Sequence, residues 1–170
     1  MPSIQNNLER RLMGFNSPTQ KRGLELTLGP VIDGSVSQNL VSGGLAIYAA
    51  GSTQAKTTAT VYSVVDGVLV LTAAYAMPAL TGFNVGAGKF GVCLFLVDQY
   101  GTISIAYSDG TAAAIGNIVF PVVPTGKACL GFILVTYVGA FTGGTTPLDT
   151  ATTVYFNSVG DFNPGIIGTV

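Results

Sequence analysis

From Leu24 onward, apolar positions fall into short runs and alternations broken by Gly, Asp and Pro clusters. Leu24, Leu26 and Leu28 alternate with Glu25 and Thr27, and Gly29-Pro30 closes that strand. Asp33-Gly34 and Gly43-Gly44 mark turns, and Leu45 to Ala50 reads as a further short strand. Thr57 to Val65 and Val68 to Tyr75 flank Asp66-Gly67, a dipeptide suited to the type I′ turn whose twist matches a β-hairpin. Met77-Pro78 ends the second of these strands, because proline has no ladder donor. Lys89 to Asp98 and Thr102 to Tyr107 form a second strand pair around Gln99-Tyr100-Gly101. Asn117 to Val123 reads as another strand, with Pro121 suggesting an edge or a bulge.

The stretch from Gly126 to Asn157 organises the rest. It opens on the run Ala128-Cys129-Leu130-Gly131-Phe132-Ile133-Leu134-Val135, turns through Phe141-Thr142-Gly143-Gly144-Thr145-Thr146-Pro147-Leu148-Asp149, and ends on Thr152 to Asn157. β-branched and aromatic residues suit a pleated surface, so this is two core strands joined by an ordered loop. Eight or nine short strands with turn signals every 8–12 residues, and no helix in the body, predict an all-β fold: one antiparallel β-sandwich, jelly-roll-like, over residues 24–170. Residues 1–23 differ. Ile4, Leu8 and Leu12 are spaced by four, as on one stripe of a short helix, before Asn16-Ser17-Pro18 interrupts it. A helix that short is marginal alone in water, so an extended or partly helical N-terminal arm is expected, ordered by contact with a partner.

Composition sharpens this picture. Charged residues are 9% of the 170, against about 25% in an average soluble domain. Three explanations compete: membrane insertion, an extreme secreted β-protein, or a subunit that buries much of its surface in an assembly. The best apolar run, Ala128 to Phe141, is shorter than a membrane-spanning helix needs and contains Gly131, Thr136 and Gly139. Alternation alone would permit a membrane β-barrel, but the chain has no Trp for interfacial girdles. Met1 to Gly14 is polar and charged, without the apolar core of a secretory signal, so export is not indicated. The charge is also uneven. Arg10, Arg11, Lys21 and Arg22 against Glu9 make the arm about +3, while Lys56, Lys89 and Lys127 against seven acids make the remainder about −4. A basic arm on a mildly acidic body suggests docking on an acidic partner. The expected partner-binding residues are therefore Ile4, Leu8, Arg10, Arg11, Leu12, Lys21 and Arg22. Such a small set of cations gives no expectation of specific nucleic-acid binding.

Candidate chemistry is sparse. Gly86-Ala87-Gly88-Lys89-Phe90-Gly91 matches G-x-G-x-x-G, but a strand follows it, whereas a dinucleotide site needs a helix N-terminus there. Phe90 also stands where a P-loop needs Ser or Thr. The chain has no His, the commonest general base, and no G-x-S-x-G elbow. Asp66, Asp109 and Asp161 lie in turn sequences, where aspartate is a turn former. A carboxylate pair brought together by folding is the one enzymatic arrangement left open. Cys93 and Cys129 lie in apolar runs and read as reduced, buried, small hydrophobes. No enzyme, cofactor or metal site is expected. The seven tyrosines read mainly as packing, with an exposed sugar-stacking platform as the alternative.

The last third resembles a module of tailed-bacteriophage virion structural proteins of the capsid decoration (cement) or head-fibre type. The residues carrying the resemblance are Pro124 to Val135, Phe141 to Asp149 and Val154-Tyr155-Phe156-Asn157. The resemblance implies a protein on the exterior of the virion, made in the host cytoplasm. It would bridge capsid subunits, with the major capsid protein and further copies of itself as partners, a trimer ahead of a dimer. The alternative it implies is a head-fibre or tail receptor-binding module contacting host surface glycans. Scarce charge and abundant glycine agree with large subunit interfaces, whose centres are depleted in charge.

Overall fold

The computed structural model describes residues 37–160 and Phe162. The chain runs β1 (Gln38–Asn39), β2 (Leu45–Ile47), β3 (Ala55–Thr57), β4 (Val61–Val65), β5 (Val68–Thr72), β6 (Asn84–Val85), β7 (Phe90–Asp98), β8 (Ile103–Tyr107), a 3-10 turn (Ile115–Asn117), β9 (Lys127–Thr136), β10 (Phe141–Thr142) and β11 (Thr152–Asn157). The expected all-β sandwich is what forms. Its main sheet is four-stranded and antiparallel, in the order β11-β9-β7-β8. Facing it are the three-stranded sheet β1-β4-β5 and the two-stranded ladders β2-β3 and β6-β10.

β7 and β9 form the centre, pairing over their whole length from Phe90 opposite Thr136 to Asp98 opposite Lys127. Both are apolar at almost every position, the mark of strands buried on both faces. Cys93, Phe95 and Val97 point into the main core with Leu130, Ile133 and Val135, against Val61, Val65, Met77, Leu80 and Phe83. Val92, Leu94 and Leu96 point the other way with Cys129, Phe132, Leu134 and Phe156. The register shifts between Phe95 and Leu96, so that Leu96 faces Cys129 while Phe95 faces Gly131. That bulge lets Leu130 and Ile133 both reach the main core although they differ by three in number. At Gly131 an added Cβ would stand 2.5 Å from the Phe156 carbonyl oxygen, so the bulge also needs the missing side chain.

The predicted strand over Asn117 to Val123 is not one. After the 3-10 turn this segment pairs with no strand and lies over the outer face of the main sheet. Ile115, Ile118, Phe120 and Val123 cover the second apolar cluster together with Phe162. The reason is chemical: Pro121 and Pro124 cannot donate to a ladder, yet the sheet below needs an apolar lid.

The two thiols face opposite sides of the main sheet and are free, so no disulfide joins them. Burial pushes both up to about 12 from an ordinary value of 9.0. Protonation favours the fold here. The stabilisation is complete below pH 9 and is lost as pH rises toward 12, because only the unfolded chain releases these protons in that window. Stability is expected to fall by about 1.4 kcal/mol per pH unit for each thiol. Urea midpoints between pH 8 and 11 test this. The decline should be shallower in a Cys93→Ala, Cys129→Ala variant, and an equal slope would contradict it.

Candidate functional site

Three surfaces stand out, the first on the sheet β1-β4-β5 and the others beside it. The first is the outer face of that sheet. Register places Gln38 opposite Val64, Val64 opposite Leu69, and Tyr62 opposite Leu71. The Leu40 N–H donates to the Tyr62 carbonyl at 2.7 Å, which extends the row. Directly opposed residues share a face, so Gln38, Leu40, Tyr62, Val64, Leu69 and Leu71 form one surface. Leu69 and Leu71 are 56% and 59% exposed, and Leu40 and Tyr62 are also exposed. No charged side chain stands among these six. A solvated antiparallel face ordinarily alternates to polar residues, and an apolar patch of this kind marks an interaction surface.

The inner face of the same sheet explains why its leucines point outward. Asn39, Ser63 and Thr72 are buried there beside Val61, Val65 and Val70. The Ser63 hydroxyl donates to Asn39 Oδ1 at 3.2 Å, Asn39 Nδ2 donates to the Ser158 carbonyl, and the Gly160 N–H donates to the Asn39 carbonyl at 2.6 Å. These bonds clip β1 to the end of β11 and fix which side of the hairpin faces inward. Leaving such groups unpaired costs about 1–3 kcal/mol.

The second surface is a groove of about 610 Å³ at the side of the sandwich, where β5 and β8 are the edge strands of their sheets. Leu71, Thr72, Tyr75, Met77, Tyr100 and Ile103 line it. Thr72 Oγ1, on the groove wall, is buried with no hydrogen-bond partner among the described residues. The third surface is a shallow basin of about 420 Å³ lined by Tyr48, Lys56, Thr57, Thr58 and Tyr75. Lys56 Nζ lies 5.7 Å from the centre of the Tyr48 ring, a cation–π contact.

The described carboxylates serve turns and nearby N–H and hydroxyl groups. Asp66 supplies the first of two positive φ values, 48° and 75°, in the Asp66-Gly67 turn. Asp98 Oδ1 accepts from the Tyr100 and Thr102 N–H groups at 2.9 Å each. Asp109 accepts from the Thr111 N–H and hydroxyl, and Asp149 Oδ2 from the Gly51 N–H at 2.7 Å. Gly86 to Lys89 is a turn leading into β7, which already holds Phe90 and Gly91, with the Lys89 N–H donating to the Gly86 carbonyl at 3.0 Å, so no helix N-terminus forms there. Among the described residues no three His, Cys, Asp or Glu side chains gather as a metal site. No described helix is long and apolar enough to cross a membrane. The sequence-predicted partner residues Ile4, Leu8, Arg10, Arg11, Leu12, Lys21 and Arg22 lie outside the described residues, as do Asp161 and the strand at Leu24 to Leu28.

Sequence reasoning missed the outer apolar face. Val68-Leu69-Val70-Leu71 is apolar at every position, so its alternation does not say which residues turn outward. A comparison with protein-family models, curated proteins and solved structures finds no match to any.

Proposed function

We propose that this chain is a bacteriophage capsid decoration protein. On this reading it is a jelly-roll-like sandwich that binds the outside of an icosahedral shell and braces neighbouring capsid subunits. It associates with itself as a small homo-oligomer, a trimer ahead of a dimer. The observation that carries the reading is the uncharged face of Leu40, Tyr62, Val64, Leu69 and Leu71. Such a face suits burial against another protein, as the centre of an interface does. The scarcity of charge supports it over the whole chain. The basic arm, with Arg10, Arg11, Lys21 and Arg22, adds an attachment to an acidic neighbour, while Ile4, Leu8 and Leu12 supply its apolar contact.

The test uses shells stripped of the protein and then reloaded. A Leu69→Asp, Leu71→Asp variant should fold, since both side chains are exposed and surface changes have small effects. It should lose at least about tenfold in shell occupancy, the effect of losing about 1.4 kcal/mol or more of binding. Deleting residues 1–23 should likewise abolish loading while the body still folds. Normal loading of both proteins removes the proposal.

A second reading rests on the Tyr48–Tyr75 basin. Exposed aromatic rings beside Lys56, Thr57 and Thr58 suit a sugar ring, which stacks on aromatics and hydrogen-bonds at its rim. The chain would then be a head-fibre or tail module contacting host surface glycans. Tyr48→Ala with Tyr75→Ala should in that case reduce phage adsorption and leave shell loading unchanged.

A further inference from the structure

The groove between β5 and β8 is an unfinished side of the sandwich. β5 pairs with β4 alone and β8 with β7 alone among the described strands, so each has a free backbone edge there. β5 is Val68-Leu69-Val70-Leu71-Thr72, with no charge, proline or glycine. Natural edges are guarded by such residues or are covered. This edge has no guard; Val70 and Thr72 are buried on its inward face, and Thr72 lines the groove together with Leu71.

We infer that residues 24–28 of the same chain add to the free edge of β5 as an antiparallel strand, with Leu24, Leu26 and Leu28 on the inward face and Leu24 at the groove. Three features of the chain agree on this occupant. Its length and pattern fit: Leu24-Glu25-Leu26-Thr27-Leu28 has five residues, as β5 has, with three leucines on one face. Setting Leu28 opposite Val68 puts Leu26 opposite Val70 and Leu24 opposite Thr72. All three leucines then share the inward face, while Glu25 and Thr27 stand outside beside Leu71 and Leu69.

Its direction fits as well. β1 and β5 are each antiparallel to β4, so they run the same way. A strand antiparallel to β5 must reverse before entering β1, and Gly29-Pro30 and Asp33-Gly34 supply turns between the two. The reversal falls at the correct end of the sheet. Ser37 lies at the Asp66 turn, its hydroxyl accepting from the Asp66 N–H at 3.2 Å, and Val68 begins β5 at that same turn.

Its reach fits too. The new strand would lie three strand spacings from β1, about 14 Å. The eight residues from Gly29 to Val36 extend to about 26–29 Å. So short a tether holds the segment at an effective concentration in the millimolar range, which favours the chain's own segment over a second copy's at ordinary protein concentrations.

The full-length chain carrying Thr27→Cys and Leu69→Cys tests the register. These positions are directly opposed on the outer face, where Cβ atoms stand about 4.5–5.5 Å apart, close enough for a disulfide after slight adjustment. The buried native thiols stay silent. Mild oxidation should give an intramolecular disulfide in most of the protein. A control pairing Thr27→Cys with the exposed Val119→Cys, over the opposite face, should not cross-link. Disulfides between copies, free thiols, or equal cross-linking in the control overturn the inference. Hydrogen exchange on the unmodified chain gives a check that needs no cysteine variant to fold. The amides on the unpaired edge of β5 should exchange about 100-fold more slowly than in a Leu24→Ser, Leu26→Ser, Leu28→Ser variant. Equal exchange in the two proteins overturns it. Neither measurement depends on shell binding.

Discussion

Replacing Phe132 with alanine is expected to destabilise the protein by about 3–5 kcal/mol, the cost of emptying a large aromatic site in a packed core. Phe132 is 2% exposed and is the hub of the cluster on the outer face of the main sheet. Its ring stacks on Phe156 at 4.6 Å and 12°, and meets Phe120 and Phe162 edge-on at 5.4 and 5.9 Å. Two of these partners come from the segments that cover the sheet without pairing to it, so the loss should loosen that cover as well as leave a cavity. Urea denaturation gives the change in stability, and the fluorescence of an apolar dye reports exposure of the sheet face. A loss below about 1 kcal/mol would mean that the covering segment carries little of the stability.

Gly143→Ala should cost about 3 kcal/mol, toward the upper end for overpacking a site that cannot give way. An added Cβ would fall on the Leu80 carbonyl oxygen and stand 2.6 Å from that of Phe83. These atoms belong to backbone held in place, since the Gly143 N–H donates to the Phe83 carbonyl at 2.8 Å and β10 is paired with β6 beside it. Gly144 provides the contrast. Its φ is +80° but the nearest atom to an added Cβ is Thr81 Oγ1 at 3.4 Å, so Gly144→Ala should cost only the left-handed backbone penalty of about 1–2 kcal/mol. Thermal midpoints of the two variants decide the matter. A smaller loss at Gly143 than at Gly144 would show that the loop moves aside.

The parts of the fold legible in the sequence are those where local chemistry and tertiary need agree. Asp66-Gly67 forms the expected hairpin because both residues tolerate positive φ, and the runs at β7 and β9 are strands because the sheet is buried on both faces. The acids at Asp66 and Asp109 serve turns, as their neighbours suggest. Asn117 to Val123 misled because a covering segment and a strand share the same apolar content, and only the absence of a ladder partner tells them apart. The outer face of β4 and β5 was illegible for a related reason. Its inward side is chosen by the Asn39, Ser63 and Ser158 bonds, whose members lie up to 119 residues apart. Short ladders such as β6 with β10 also escape a local reading, since two residues have no period.

The pairing of β7 with β9 also shapes how the chain comes together in time. Cys93 meets Ile133 about 40 residues later, so at 5–20 residues per second β7 waits roughly 2–8 s on a translating ribosome before its partner exists. Through that interval Val92 to Val97 is an apolar, uncharged, proline-free segment of the kind that self-associates. Non-local pairing of this sort is slow in any case. Refolding from urea should therefore give yields that fall steeply as protein concentration rises, and a holdase chaperone that masks β7 should restore them.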